Sequence, residues 1–485
     1  MPKIQSIQKR NLSDGILTSV DDDLASGANC VKYSQNLLWH KVAGRGVVRE
    51  GTSLVGAQIA DGKNILGLHQ FILSSGTKYL LAVVDGASNS ALHRLIAGTW
   101  TTESISGVKA VKHRFLTFLD TVMVLDGTNK TSSADGDAWV TTGGNLDIGN
   151  CPAGKYAIEW RDRVYVAGVS AALDTLYYSG LATTTISWTS GNGTLRIEPF
   201  DGQGSITGLA KVPGYLLIFK ERALKRWNGA STFPDDLNRL GTPSQESIVF
   251  GQKTCFYFSS GYGDKESIGF YETNGSNTIK ISRNIQEICS AISSANYSSI
   301  AGYGTGEIVM WSIGDIVLDN ITYSNVVMLY HLNTRTWAML TFPTLFKIFA
   351  LYIDSNDLKI IGGNSDGEVM EIFTTDVDDI TGSLNREIEY SAQFHGITFG
   401  RRDKIKEISK IVPHGKNLLS ASVMARVDEE GGFNEIGNIT SQFENEFDAS
   451  LRGHLFEFRI AGVSKNSGEL IGMDILTPNI TQSNK

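Results

Sequence analysis

Between Val326 and Gly367 the chain alternates. Val326, Met328 and Tyr330 stand opposite Val327, Leu329 and His331, a turn follows at Asn333 to Arg335, and Trp337 opens a second apolar run that ends at Phe342. Beyond a loop come the runs 348–353 and 358–361 around a polar turn at 354–357, then Gly362-Gly363-Asn364-Ser365-Asp366-Gly367 and a further run at 368–373. Period 2 puts one set of side chains on each face, and Gly, Asn and Asp tolerate the positive φ of tight turns. The stretch therefore predicts an antiparallel meander.

The same unit of strand, polar turn, β-branched or aromatic strand and Gly recurs about seven times. It stands at 71–86 and 115–127 and around 163–168, 215–219, 254–258, 307–313 and 358–361. The centres lie roughly 40 to 53 residues apart, the length of a four-stranded propeller blade. Trp100, Trp139, Trp188, Trp227 and Trp337 come late in five of the units, where an aromatic can fill the wedge between neighbouring sheets. The last unit is short by one strand, which residues 54–59 are expected to supply, closing the ring and removing its open edges. Residues 1–60 lack the blade pattern and read as an arm or the beginning of a second domain, with 44–51 a tight, exposed turn. After a solvated linker at Asp376-Val377-Asp378-Asp379 the alternating runs lengthen and carry more charge. Glu457 and Arg459 interleave with Phe456, Phe458 and Ile460, as expected of a sheet with one wet face. The expected fold is all-β: an N-terminal arm over 1–60, a six- or seven-bladed β-propeller over 61–380 and a C-terminal β-sandwich over 381–485.

Composition fits that expectation. The 485 residues exceed one core, and 51 Gly with only 9 Pro suit a turn-rich β protein. A net charge of −8 and a pI near 5.6 argue against a protein that wraps nucleic acid. Cys30, Cys151, Cys255 and Cys289 are far apart and form no metal-binding pair, so they read as small buried hydrophobes in a reducing compartment. No run approaches a membrane helix, and residues 1–10 lack the apolar core of a signal peptide. The expected setting is thus the cytoplasm of the producing cell, where the sequons at Asn129 and Asn320 carry no meaning.

Candidate chemistry is sparse. Gly363-Asn364-Ser365-Asp366-Gly367 matches the nucleophile-elbow pattern, but a strand follows where the elbow needs a helix, so a hairpin turn is the expectation. Ser133-Ala134-Asp135-Gly136-Asp137 reads as a β-turn beside Trp139 rather than a sialidase-type box. Asp376, Asp378 and Asp379 lack the spacing of a calcium loop. Asp85, Asp126, Asp201, Glu221 and Asp315 could furnish the carboxylate pair of a glycosidase, although most sit beside Gly, where Asp serves turns. Arg401-Arg402-Asp403-Lys404-Ile405-Lys406 is the one basic cluster. Arg401, Arg402 and Lys404 are the candidate interaction surface, set against a charge-guarded sheet edge. No catalytic residue, metal or cofactor is expected.

Ser13-Asp14-Gly15-Ile16-Leu17, the run from Ala28 to Gly51, the Trp337 unit with its 362–367 hairpin, and the closing 451–462 stretch together resemble the tail nozzle proteins of short-tailed bacteriophages, also called tail tubular protein B or phage stabilisation proteins. The likeness covers most of the chain. Many relatives have a basic-Pro-Gly turn where this chain has Arg49-Glu50-Gly51. The resemblance implies a non-enzymatic virion protein whose copies, commonly six, form a ring under the portal and adaptor, with tail fibres or spikes as further partners. It implies retention of the genome and conduction of DNA at ejection, without specific binding. The competing expectations are a propeller glycosidase or polysaccharide depolymerase, and a cellular propeller scaffold.

Overall fold

A computed structural model describes residues 5–19, 29–60, 63–198, 204–354, 357–379, 385–399, 405–418, 420–440, 445–464 and 468–477. The chain is all-β. Seven antiparallel meanders follow one another, here sheets 1 to 7, at 65–107, 114–133, 156–196, 206–238, 249–280, 301–341 and 346–372. Six have four strands. Sheet 2 has three, with an isolated bridge between Ser132 and Val140 where a fourth would run. The fourth strand of sheet 7 is Thr52–Leu54, antiparallel to Val369–Ile372 with Leu54 opposite Met370. It begins two residues before the expected 54–59, and the amides of Val55 and Ile59 continue the edge by donating to Val369 O and Gly367 O.

Successive sheets touch in cyclic order. Ile65–Ile72, the first strand of sheet 1, lies against Arg114–Phe118 of sheet 2 and also against Phe346–Asp354 of sheet 7. Gln70 ties that closing contact with a two-way amide bridge, donating to Ile353 O (3.0 Å) while Ile353 N donates to its Oε1 (2.7 Å).

The hydrophobic core is a set of wedges between neighbouring sheets. Leu81 and Val122 join sheets 1 and 2, Met123 and Val166 sheets 2 and 3, Leu176 and Ile218 sheets 3 and 4, Leu217 and Tyr257 sheets 4 and 5. Ala82 with Ile361 joins sheet 1 to sheet 7. Second strands are therefore apolar on both faces. Thr121–Leu125 is buried throughout, and Tyr215–Lys220 and Thr254–Ser259 at all but their first residue, so simple alternation fails in the middle of each sheet. The tryptophans sit in these wedges. Trp227 packs on Trp160, Tyr165 and Tyr178, and Trp337 on Phe270, Trp311 and Tyr330, with ring centroids 4.8–6.4 Å apart. All four cysteines are free and buried.

Two further sheets use both ends of the described chain. One holds Lys406–Lys416, Phe447–Gly453 and Glu469–Thr477 with Gln5–Lys9, Leu37–Val42 and Arg45–Val48. The other holds Ile388–Gln393, Ser422–Val427, Asn434–Asn438 and Phe456–Ser464 with Tyr33–Gln35. Ile411, Phe458, Ile460 and Ile475 share one core between them. The segment read as an arm thus supplies strands to these sheets and to sheet 7.

Three expectations fail where charge was equated with solvent. The 44–51 turn is not exposed at its end: Arg49 is 2% exposed. The linker is not solvated at Asp378, which is 3% exposed. Arg49 donates from Nη1 to Asp378 Oδ1 (2.8 Å) and from Nη2 to Oδ2 (2.6 Å), and Nε donates to Asn36 Oδ1 (2.9 Å). Thr341 O and Glu50 O accept the remaining donors, and the guanidinium lies 4.2 Å from the Phe342 ring centroid. Glu457 likewise is not on a wet face; it is 1% exposed, with Arg426 bonded to its carboxylate and Lys32 3.8 Å away.

Local turn chemistry is as expected. Asn364 Oδ1 accepts from the amides of Asp366 and Glu368 (both 2.9 Å), making 364–368 a hairpin turn followed by a strand. Asp135 Oδ1 accepts from the amides of Asp137 (3.0 Å) and Ala138 (2.8 Å). Asp126 holds its turn from a buried position, accepting from the amides of Val108 (2.8 Å), Thr128 (2.8 Å) and Asn129 (2.6 Å). Burial pushes its pKa up, but His113 and these donors overcome that and hold it well below the usual carboxylate range.

Two outcomes follow. Arg49→Met strands a buried carboxylate and should cost about 3–5 kcal/mol, read as a lowered urea midpoint, with Arg49→Met/Asp378→Leu recovering part of the loss. A single variant within 1 kcal/mol of wild type, an experimental error of about that size, would remove the pair from its structural role. For Asp126, a depressed folded pKa means stability that is present above the unfolded value of about 4 and fades as pH falls through it. The gap in melting temperature between wild type and Asp126→Asn should be widest near neutrality and shrink below about pH 4; a gap constant from pH 7 to 3 would contradict it.

Candidate functional site

The first strands and the turns before them line an open cavity of about 470 Å³ whose walls come from sheets 1, 2, 3, 5, 6 and 7. Phe115, Tyr303 and Phe349 give it an aromatic lining, and Arg114 and Glu246 supply its charge. Arg114 starts the first strand of sheet 2, while Glu246 lies in the 3₁₀ turn Gln245–Ser247 that precedes sheet 5. The two join across the cavity at 2.6 Å. Tyr156 stacks under the guanidinium, 4.7 Å from its ring centroid, and Lys155 O accepts from Nη1 (3.2 Å).

Two more cations stand beside this pair. Lys112, two residues before sheet 2, donates from Nζ to Lys347 O in the first strand of sheet 7. Burial depresses the Lys112 ammonium to about 8, with Glu246 opposing and Arg114 and Lys347 adding to the effect. Burial likewise lowers Lys347. For Glu246, burial pulls upward, but Arg114 and Lys112 win and keep it below its ordinary value. His69, stacked on Phe115 at 5.3 Å, is pushed down to about 4 by burial and is neutral at pH 7.

A second polar assembly lies where sheet 6 meets the two-sheet unit. The hairpin of Ile308–Leu318 and Ile321–His331 turns at Asp319 and Asn320, both at positive φ (49° and 61°), as a two-residue I′ turn requires. Arg426 grips Asp319 with two bonds (3.0 and 2.8 Å) and donates from Nε to Glu457 Oε2 (2.7 Å). Gln393 adds a bond to Asp319, and Lys32 stands 3.8 Å from Glu457. Open grooves of about 1360 and 930 Å³ flank the hairpin tip and share Tyr33, Glu287 and Asp319.

Among the described residues, the carboxylates considered from sequence, Asp85, Asp126, Glu221 and Asp315, are not assembled into a pair. Asp85 accepts from Ala110 N (3.0 Å) and Asp315 from Asn325 N (2.8 Å), Asp126 is committed to its turn, and Asp201 lies outside the described residues. Ser90, His113 and Asp126 do come together. Ser90 Oγ and Asp126 Oδ2 both meet Nε2 of His113, at 3.0 and 3.5 Å, while Nδ1 faces Val111 O at 2.8 Å. A relay needs nucleophile and acid on opposite ring nitrogens, so this trio is a buried brace. Arg401, Arg402 and Lys404 lie outside the described residues; Lys406 of the same run is buried and donates to Thr398 O. Among the described residues no group of three or more His, Cys, Asp or Glu is arranged to hold a metal ion, and no helix is long and apolar enough to cross a membrane.

Lys112, Arg114, Lys347 and Glu246 were missed from sequence. The signal was the basic run Lys112-His113-Arg114 ahead of one first strand and Lys347 at the start of another. It acquires meaning only when sheet 7 is known to return to sheet 1.

No protein-family model and no curated protein matches the chain. Among solved structures it is similar to the extracellular domain of BT4673 from B. thetaiotaomicron, described once as part of a one component system and once of a hybrid two component system. Identities are 10% and 9% and TM-scores 0.41 and 0.42; each alignment covers 74% of this chain and 43% or 42% of the other. The chain spans less than half the length of those structures, and a likeness this weak carries no argument about fold or function.

Proposed function

We propose that the chain is a structural subunit of a bacteriophage tail, a nozzle-type protein that closes into a ring below the portal and adaptor. In this reading the seven sheets are the blades of a β-propeller, closed by Thr52–Leu54, and the two sheets built from both ends are a β-sandwich. The ring, of six copies as the sequence resemblance implies, retains the genome and conducts DNA at ejection, and the protein resides in the virion after synthesis in the host cytoplasm.

The observation that carries the reading is the joint between the two parts. A ring subunit meets a neighbour on each of two different sides and must transmit load between them. The buried Arg49–Asp378 pair and the Asp319–Arg426 clamp hold the seven-sheet and two-sheet parts together at two separate places. The residues of the resemblance fall on that joint, since the 28–51 run contains Asn36 and Arg49, and the 451–462 stretch contains Glu457. The glycosidase alternative needs two facing carboxylates, whereas the described walls of the central cavity hold Glu246 alone, engaged by Arg114.

Immunogold electron microscopy with antibody to this chain, on particles from the source culture, tests the proposal. Label should be confined to the tail tip of short-tailed virions. Label missing from every particle, with the protein free in the lysate, would sink the nozzle reading and return attention to glycan-cleaving activity.

A further inference from the structure

We propose that the stacked His40–His331 pair is an acid-sensitive latch on the seam between the two-sheet unit and sheet 6, closed while both rings are neutral and weakened when they take up protons. This goes beyond the tail reading and does not rest on it.

The seam is formed by Leu37–Val42 of the two-sheet unit and Thr336–Thr341 of sheet 6. Hydrogen bonds fix one end of it: Asn36 N donates to Met339 O (2.9 Å), and Thr341 N donates to Asn36 Oδ1 (2.8 Å). At the other end, where His331 stands opposite Thr336, two rings take over. His40 and His331 lie face to face, with centroids 4.4 Å apart and planes 5° from parallel. One ring belongs to each unit, so parting the units at this end must part the stack.

The geometry requires neutral rings. Nδ1 of His331 accepts from the Thr334 amide (3.2 Å), so that nitrogen carries no proton and the N–H of the ring is on Nε2. A proton on Nδ1 would expel the amide and disturb the turn that Arg335 N closes on His331 O (2.8 Å). Two stacked imidazolium rings would also repel each other in surroundings partly withdrawn from water. No acid near His40 offsets this. Lys41 and His331 are the groups that act on it, both against its proton, and Lys41 itself stands 3.7 Å from Glu50. Glu307, just before Ile308–Leu318, favours a proton on His331, but burial outweighs it. Thr336–Thr341 carries no charge. On the other neighbouring elements, Arg45 is bonded to Glu469 and Glu389 to Arg386 (both 2.7 Å), and Arg335 adds positive charge alone.

The sign follows from the two states of the seam. Burial, with His331 and Lys41, lowers His40 to about 4, whereas a freed imidazole takes up its proton near 6.5. The open seam therefore binds more protons between those values. The latch is at full strength above about pH 6.5 and loses strength as pH falls toward 4. His69 and His93 of sheet 1 are also lowered by burial, and Glu457 at the second joint is raised by it and works in the opposite sense. A local readout is needed to separate the latch from these.

The test is amide hydrogen exchange of the full chain at pH 7 and pH 5, read by mass spectrometry and corrected for the exchange rate of an unstructured peptide at each pH. Protection of 37–42 and 336–341 in wild type should fall about twentyfold from pH 7 to pH 5, the ratio set by a ring that titrates at about 4 closed and near 6.5 open. His40→Phe keeps an aromatic face against His331 and His40→Gln a polar one, and both leave the Thr334 bond of His331 in place. Either variant should lose most of that fall, whereas His69, His93 and Glu457 act on all three proteins alike. Equal protection of the two segments at pH 7 and pH 5 in wild type overturns the proposal, as does the same fall in wild type and the variants.

Discussion

The buried ion pair of Arg49 with Asp378 is the constraint on which the rest of the arrangement depends. Moving both charges out of water is costly, and the Coulomb attraction offsets that only when every remaining donor is satisfied. Here all of them are: Nε serves Asn36, the two terminal nitrogens serve Asp378, Thr341 O and Glu50 O, and Phe342 covers the face. Four distant pieces of chain meet at this one residue. Arg49 stands just before Thr52–Leu54, which completes sheet 7, and Asp378 just after sheet 7, on the way to the two-sheet unit. Sheet closure and attachment of the second unit are thereby coupled. Gly51 permits it, because a Cβ there would stand 1.9 Å from Val377 O.

A single joint would act as a hinge. The second one, where Arg426 holds the Asp319 hairpin tip and Glu457 together, lies on a different element of sheet 6 from Thr341 and removes the rotation that the first would leave. The two joints also differ electrostatically. Asp319 is kept below its usual range because the donors of Arg426 and Gln393 overcome its burial, whereas burial prevails at Glu457 and raises it despite Arg426. Glu457 is the member of the network closest to accepting a proton, and its oxygens are the ones least provided with donors, Oε1 having no hydrogen bond.

What sequence made legible follows from what is local. The 364–368 turn, the Asp135 turn, the wedge tryptophans and the need for a borrowed strand in sheet 7 are all properties of a few consecutive residues or of their repetition, and period and turn chemistry suffice to read them. Pairing of Gln5–Lys9 with Glu469–Thr477 was not legible, because an edge strand carries no mark of its partner. Buried charge was misread for a related reason. Arg49, Asp378 and Glu457 look solvated in any short window, and only the far half of each pair explains their burial. Second strands such as Thr121–Leu125 departed from alternation because both faces of the sheet are covered, a consequence of the cyclic stacking rather than of the strand itself.

The chain's overall charge and that of its centre have opposite signs, and the physics of screening separates their consequences. A net charge of −8 acts on a passing polyanion through solvent, where the field decays within a Debye length of about 8–10 Å at physiological salt. On the tail reading proposed above, DNA moving past such a surface would be repelled weakly. The Lys112–Arg114–Lys347 cluster is half-buried among the first strands, so its field is screened less than that of fully exposed charge. A space of 470 Å³ is too small for duplex DNA. On the tail reading, a net acidic chain and a local basic cluster are compatible, because the reach of each is set by the screening around it.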